Sequence, residues 1–183
     1  MEYHLLEDTE LTSLVASGDQ QALAALYDRH ANRVFSLALT LLGDYHDAEE
    51  VTQDVIMSVW QNSGAYDPLR ARFSTWIARI AHNRAVDELR RRRKRAAETP
   101  LEDQEIARPD PTEAGIEYDE VRSALYHLPE EHRRVVYLGF FQGYTHTEIA
   151  KLLDRPLGTV KTQMRLALRL LRERVTASAE EVL

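Results

Sequence analysis

The sequence predicts an all-α protein of two helical domains joined by a flexible acidic linker, the second domain a helix-turn-helix. Three observations predict it. Apolar residues recur at helical spacing along most of the 183 residues, and the strict two-residue alternation of strands is absent. One stretch, AAETPLEDQEIARPDPTEAG, carries Pro100, Pro109 and Pro111, many acids and no apolar stripe, as a linker does. Beyond it, GYTHTEIAKLLDRPLGTVKTQMR reads as two short helices around a tight turn. The expected boundaries are a first domain over 1–95, a linker over 96–116 and a second domain over 117–183.

Taken in order, Asp19 caps a helix running to Leu42, with Leu23, Leu26, Tyr27, Val34, Leu37, Ala38 and Leu41 on one face. Gly43 ends it. Asp44 opens the next helix, whose stripe is Ala48, Val51, Val55, Ile56 and Val59. Gly64 and Pro68 mark the segment NSGAYDPLRARF as a loop. Ser74 or Thr75 then starts a third long helix with Trp76, Ile77, Ile80, Ala81 and Leu89 inward. In the second domain Thr145 and Glu148 form a capping box, so a helix starts there by local chemistry. Ile149, Ala150, Leu152 and Leu153 supply its buried side, and Pro156 and Gly158 make the turn. From Thr159 the apolar spacing runs Val160, Met164, Ala167 or Leu168, and Leu171.

Composition excludes several classes. A hydrophobic content of 44% supports real cores. There are no cysteines, hence no disulfides, thiolate zinc sites or cysteine nucleophiles. The acidic start MEYHLLEDTE lacks the flank and core of a signal peptide, and the apolar runs fall short of the roughly 20 residues that span a bilayer. A soluble cytoplasmic protein without membrane insertion is expected. The seven histidines are scattered, with no H-E-x-x-H helix and no evident triad, so neither an enzyme nor a cofactor or metal site is expected.

A net charge of −7 argues against a polyanion partner until its distribution is examined. From Met1 to Asp54 eleven acids face two bases, and from Ala96 to Glu120 nine acids face Arg108 alone. Between and after them lie two basic stripes. Arg84 to Arg95 holds seven bases against two acids, and Arg155 to Arg174 six against one. Screening removes charges beyond roughly 10 Å at moderate salt, so local patches set the field a nucleic acid meets.

Each stripe coincides with an arrangement suited to DNA. In the second domain Thr159, Lys161, Thr162, Arg165 and Arg169 point outward, the short hydroxyl and basic side chains that phosphates and base edges require. The alternative is an ordinary helical hairpin with a solvated basic face. In the first domain Asn83, Arg84, Asp87, Arg90 and Arg91 lie on or near one polar side of a helix, and the preceding loop bears Tyr66 and Phe73. Aromatics beside arginines suit the stacking of single-stranded bases. Trp76 is a further candidate stacking ring, although a tryptophan at helical spacing is more often core than a stacking platform, and RRRRKR fits a solvated helix end favoured by the helix dipole.

Together, FSTWIARIAHNRAVDELRRRRKR and DYHDAEEVTQDVIMSVW resemble region two of the bacterial extracytoplasmic-function sigma factors. LPEEHRRVVYLGFFQGYTHTEIAKLLDRPLGTVKTQMR resembles their region four. The resemblance covers about residues 10 to 95 and 117 to 175, in family order. It implies core RNA polymerase, promoter DNA and an anti-sigma factor as partners. Asp47, Glu50, Gln53 and Asp54 match the helix that docks on the polymerase clamp coiled coil. Asn83 matches an asparagine that holds a flipped base of the −10 element, and the loop from Gly64 to Phe73 matches the base-selecting loop. Lys161, Thr162 and Arg165 match positions that enter the major groove of the −35 element. The chain departs from the pattern at Leu166, Ala167 and Leu168, where many relatives carry a basic R-A-R. A helix-turn-helix regulator that acts without polymerase is the alternative from another class.

Overall fold

A computed structural model describes residues 2–98 and 119–180 of the chain, which divides into two units, Met1–Pro111 and Thr112–Leu183. All regular structure among the described residues is helical, which agrees with the all-α expectation. The expected linker lies outside the described residues except for 96–98, which continue a helix.

The first unit contains α1 (Asp8–Ala16), α2 (Gln20–Leu42), α3 (Tyr45–Asn62) and α4 (Phe73–Glu98). Its helix ends are set by local chemistry. The Asp19 carboxylate accepts the N–H groups of Gln21 and Ala22 at 2.9 and 3.1 Å, satisfying donors that the first turn of α2 leaves open. Gly43 closes α2 in the left-handed region, φ 66°, and returns its N–H to the Leu39 carbonyl at 2.8 Å. Asp44 caps α3 through the Asp47 N–H at 2.9 Å. Helix α1 is not among the expected helices. A reciprocal Glu7–Glu10 capping box starts it, and Leu11 and Val15 bury its inner side.

Ala22, Leu26, Val34, Ala38 and Leu41 form the buried stripe of α2. Tyr27, expected on that face, is 48% exposed, because one residue past Leu26 is about 100° round the helix. Helix α4 starts at Phe73, earlier than expected, and buries Phe73, Ile77, Ala81 and Ala85 against α2 and α3. Trp76, Ile80 and Leu89, expected inward, are only half-buried.

The second unit comprises α5 (Asp119–Tyr126), α6 (Glu130–Val136), a wider turn of helix over Tyr137–Phe141, α7 (His146–Leu152) and α8 (Leu157–Glu180). Val135, Ile149 and Val160 join α6, α7 and α8 in one core cluster, and Leu128, Val136 and Ala167 form another. The choice between Ala167 and Leu168 falls to Ala167, since Leu168 is 52% exposed. Leu152, expected inward, is also exposed. At Gly139 an added Cβ would stand 2.7 Å from Met164 Cε, so the end of that flexible side chain would have to shift.

Gly43 sets the α2–α3 corner in a conformation that costs an L-residue roughly 1–2 kcal/mol. Gly43→Ala is expected to lower unfolding free energy by about 1 kcal/mol, read as a lower denaturant midpoint with unchanged slope.

Candidate nucleic-acid interface

The segment before α4 is held by its own short contacts. A single helical turn over Ser63–Ala65 leads to Tyr66, and Asp67 accepts the Leu69 N–H at 3.0 Å. The Tyr66 ring meets Phe73 edge-on at 5.5 Å and Trp76 at 5.5 Å, and Phe73 lies 5.6 Å from Trp76. On its other side Phe73 touches the His30 ring at 5.1 Å. His30 and Arg29 both bond Asp8 at the start of α1, at 2.9 and 3.0 Å. Burial, with the negative charges of Asp8 and Asp67 nearby, pushes the Tyr66 hydroxyl pKa up. The Phe73 N–H, bonded to that hydroxyl, acts in the opposite sense.

These contacts correct one expectation. Phe73 is 2% exposed and belongs to the core, so it cannot stack on a base. Tyr66 and Trp76 pack on it and are half-buried. The accessible part of the loop is its tip, where Leu69 is 96% exposed.

Along α4 the seam fixes the opposite side outward. Asn83, Arg84, Asp87, Arg90 and Arg91 are exposed. Arg72 and Arg79, outside the expected set, are exposed as well. Arg79 stands one turn before Asn83, a spacing that could have been read from the sequence. Several of these cations have partners within the unit. Arg84 donates to Ser58 Oγ at 3.0 Å, and Arg90 lies 3.7 Å from Asp87. Glu88, 8% exposed, pairs with Arg91 and, at 2.9 Å, with Arg95. The basic run is therefore partly neutralised by its own helix, which the residue count alone did not reveal.

On α3 the expected acidic set divides. Glu50, Gln53 and Asp54 are exposed, with Met57 continuing the same face. Asp47 is instead half-buried and forms an ion pair with Arg92. Its surroundings are those of a structural contact.

In the second unit the capping box is formed in full. The Thr145 N–H donates to Glu148 Oε2 at 2.7 Å, and Thr145 Oγ1 accepts the Glu148 N–H at 3.2 Å. The turn differs from expectation. Asp154 takes the left-handed conformation, φ 50°, while Gly158 sits inside the first turn of α8. Asp tolerates that region better than most residues, so glycine is not required there. The Pro156 carbonyl accepts the N–H groups of Thr159 and Val160 at 3.0 and 3.2 Å, which starts α8. With Val160 buried, Thr159, Lys161, Thr162, Arg165 and Arg169 are all exposed along α8. Arg169 also lies 3.9 Å from Glu173, an exposed pair of little energetic weight.

A polar brace fixes α8 against α6. Gln163, 9% exposed, donates its Nε2 to Glu131 Oε2 at 2.9 Å, and Arg155 reaches the same oxygen at 3.3 Å. One carboxylate thus ties both the turn and the second helix of the motif to α6. Among the described residues there is no cluster able to hold a metal ion and no helix long and apolar enough to cross a membrane.

Comparison with known proteins gives this geometry a family. Sigma-70 region 2 matches residues 26–95 and Sigma-70 region 4 matches residues 124–173. The ECF RNA polymerase sigma factor RpoE of Cereibacter sphaeroides is 36% identical over 160 residues, covering 86% of this chain and 88% of that protein. SigK of Mycobacterium tuberculosis is 33% identical over 164 residues, covering 86% and 88%. Among solved structures, Rhodobacter sphaeroides SigE in complex with the anti-sigma ChrR is 32% identical, covering 91% of this chain and 97% of that one, with a TM-score of 0.46. The chain belongs to the ECF RNA polymerase sigma factors. Its function is that of an alternative sigma factor directing promoter recognition at the start of transcription.

Removing the Glu131 acceptor leaves a buried amide donor unsatisfied. Glu131→Ala is expected to cost about 1–3 kcal/mol in denaturant unfolding and to weaken duplex binding. Glu131→Gln, which keeps an acceptor oxygen, is expected to cost less. Equal losses for both would show that the Arg155 charge pair, not the Gln163 bond, holds the brace.

Proposed function

We propose that residues 1–95 bind core RNA polymerase and open the −10 element, while residues 117–183 grip the −35 duplex and 96–116 connect them. The observation that carries this reading is the exposure of Asn83 on the side of α4 opposite the Phe73, Ile77, Ala81 and Ala85 seam. An amide there offers a donor and an acceptor to a base edge. Extruding a base costs a few kcal/mol, which such contacts offset. The exposed loop tip around Leu69 lies in the loop expected to select that base, while Tyr66 and Trp76 support the loop from beneath. Arg72, Arg79, Arg84, Arg90 and Arg91 supply phosphate attraction along the strand.

On α3, Glu50, Gln53 and Asp54 form the acidic face for a basic polymerase helix. On α8, Lys161, Thr162 and Arg165 enter the major groove, with Thr159 and Arg169 toward the phosphates. The protein acts by binding and catalyses no reaction itself, and an anti-sigma factor is the further partner this reading implies.

Asn83→Ala is expected to leave closed-complex formation on duplex promoter nearly intact, because that binding is electrostatic and salt-sensitive. Open complex is expected to fall, and a preformed bubble to restore part of the activity. Permanganate footprinting on both templates reads this. Equal thymine reactivity for the two proteins on duplex DNA would sink base capture by Asn83. For the second unit, Arg165→Ala is expected to relax base preference at one or two positions of the −35 element. The loss is roughly 1–3 kcal/mol if the contact is bidentate to guanine. A uniform loss across sequences would instead mark a phosphate contact.

A further inference from the structure

Helix α4 outruns its apolar seam. Val86 is its last buried apolar residue, and from Arg90 onward the described side chains are four more arginines, a lysine and an alanine. Here Arg92 reaches back to both α2 and α3. Its Nη1 donates to the Leu42 carbonyl at 3.2 Å, 50 residues away, where the end of α2 leaves carbonyls without helical partners. Its Nη2 forms the ion pair with Asp47 in the first turn of α3. Its Nε lies 3.6 Å from Glu88. One guanidinium therefore touches the C-terminal end of α2, the N-terminal end of α3 and the basic end of α4.

The chemistry favours a fixed geometry. A carboxylate as buried as Glu88 is costly unless paired, and Arg91, Arg92 and Arg95 all approach it. A planar guanidinium loses less freedom per bond than an ammonium would, so arginine suits a junction with three directions. The left-handed turn at Gly43 brings the Leu42 carbonyl and the start of α3 within reach of the same side chain.

We propose that Arg92 is a positioning residue of the −10 module, and that Asp47 acts through Arg92 rather than by touching polymerase. The proposal rests on the region-two reading above. Arg92 sets where the basic end of α4 stands relative to the exposed Glu50–Gln53–Asp54 face. DNA capture and polymerase docking thereby share one rigid frame. Asp47 contributes to promoter opening and not to polymerase affinity.

The test uses the full-length chain with Asp47→Asn, Arg92→Gln, the two together, and the conservative Asp47→Glu. In the isolated protein, the Arg92 Nη–H signals in a 15N NMR spectrum are expected to be resolved and slowly exchanging, and to lose that protection in Asp47→Asn. In holoenzyme, Asp47→Asn and Arg92→Gln are each expected to lower open-complex formation about five- to tenfold, with the double no worse than either single, as for residues in direct contact. Asp47→Glu, which keeps a carboxylate beside Arg92 and leaves the Leu42 and Glu88 contacts in place, is expected to retain most of the wild-type level. Polymerase affinity of Asp47→Asn is expected to stay within about twofold of wild type, below the coupling of contacting residues. If Asp47→Asn weakens polymerase binding by the same factor with and without Arg92→Gln, the proposal is overturned and Asp47 returns to the interface. An Arg92 signal indifferent to Asp47→Asn overturns it as well, whatever the promoter assays give. A wild-type holoenzyme that opens no promoter counts against the region-two reading, and the NMR result still decides the Arg92–Asp47 contact.

Discussion

The four-residue repeat of Phe73, Ile77, Ala81 and Ala85 locks α4 against α2 and α3, none of the four more than 2% exposed. Burial of a Phe or Ile side chain contributes roughly 1.5–3 kcal/mol, and the two alanines let neighbouring helices approach closely. Because each residue advances about 100° round a helix, fixing this seam also fixes what faces away from it. Asn83 and Asp87 are outward for the same reason that Ala81 and Ala85 are inward. The aromatic rings complete the constraint at the N-terminal end. Phe73 fills the space beside His30, and Tyr66 and Trp76 close over it, so the loop before α4 is founded on the core and not simply appended to it.

Charge is arranged on a shorter length scale than the net value of −7 implies. In α4 the carboxylates of Asp87 and Glu88 lie among the arginines, and Asp47 reaches the run from α3. Pairing on this scale does two things. It makes a dense cationic helix compatible with folding, since adjacent like charges would otherwise repel. It also orders the guanidinium groups, so less side-chain freedom remains to be lost when a phosphate binds.

The legible parts of the fold were those with local causes. Asp19, Gly43, Asp44 and the Thr145–Glu148 box mark helix ends through contacts two to four residues away, and each is visible in the sequence. The outward set on α8 followed from its period once Val160 was placed inward. Features with distant causes were not legible. Phe73 has the composition of a stacking residue, and only its packing on His30, far back in the chain, assigns it to the core. The pairing of Arg92 with Asp47 and Leu42 spans 45 and 50 residues, so a count of bases could not separate it from its neighbours. The turn was expected from Pro156 and Gly158, yet Asp154 takes its left-handed position and Gly158 lies inside α8, because an aspartate can adopt that conformation. Helix α1 was missed although Leu11 and Val15 carry a helical spacing, since nine residues give too short a period to stand out.

The second unit shows how the proposed duplex reading depends on what α8 lacks. Ala167 is fully buried between Leu166, half-buried, and Leu168, exposed, so the two leucines flank the position that packs on Leu128 and Val136. Basic residues at those two positions would add phosphate contacts, which raise affinity for every sequence alike through counterion release. Leucine leaves that term smaller without changing the groups that meet base edges. The affinity that remains then rests more heavily on Lys161, Thr162 and Arg165. Those contacts tolerate little misplacement, because a hydrogen bond to a base edge fails outside a narrow range of distance and angle. The Glu131 brace supplies the stiffness this requires. It fixes Gln163, between Thr162 and Arg165, to α6 through a bond from a buried amide to the exposed Glu131 carboxylate. On this reading, fewer phosphate contacts and a firmly held second helix are two sides of one arrangement, in which discrimination is favoured over general attraction to DNA.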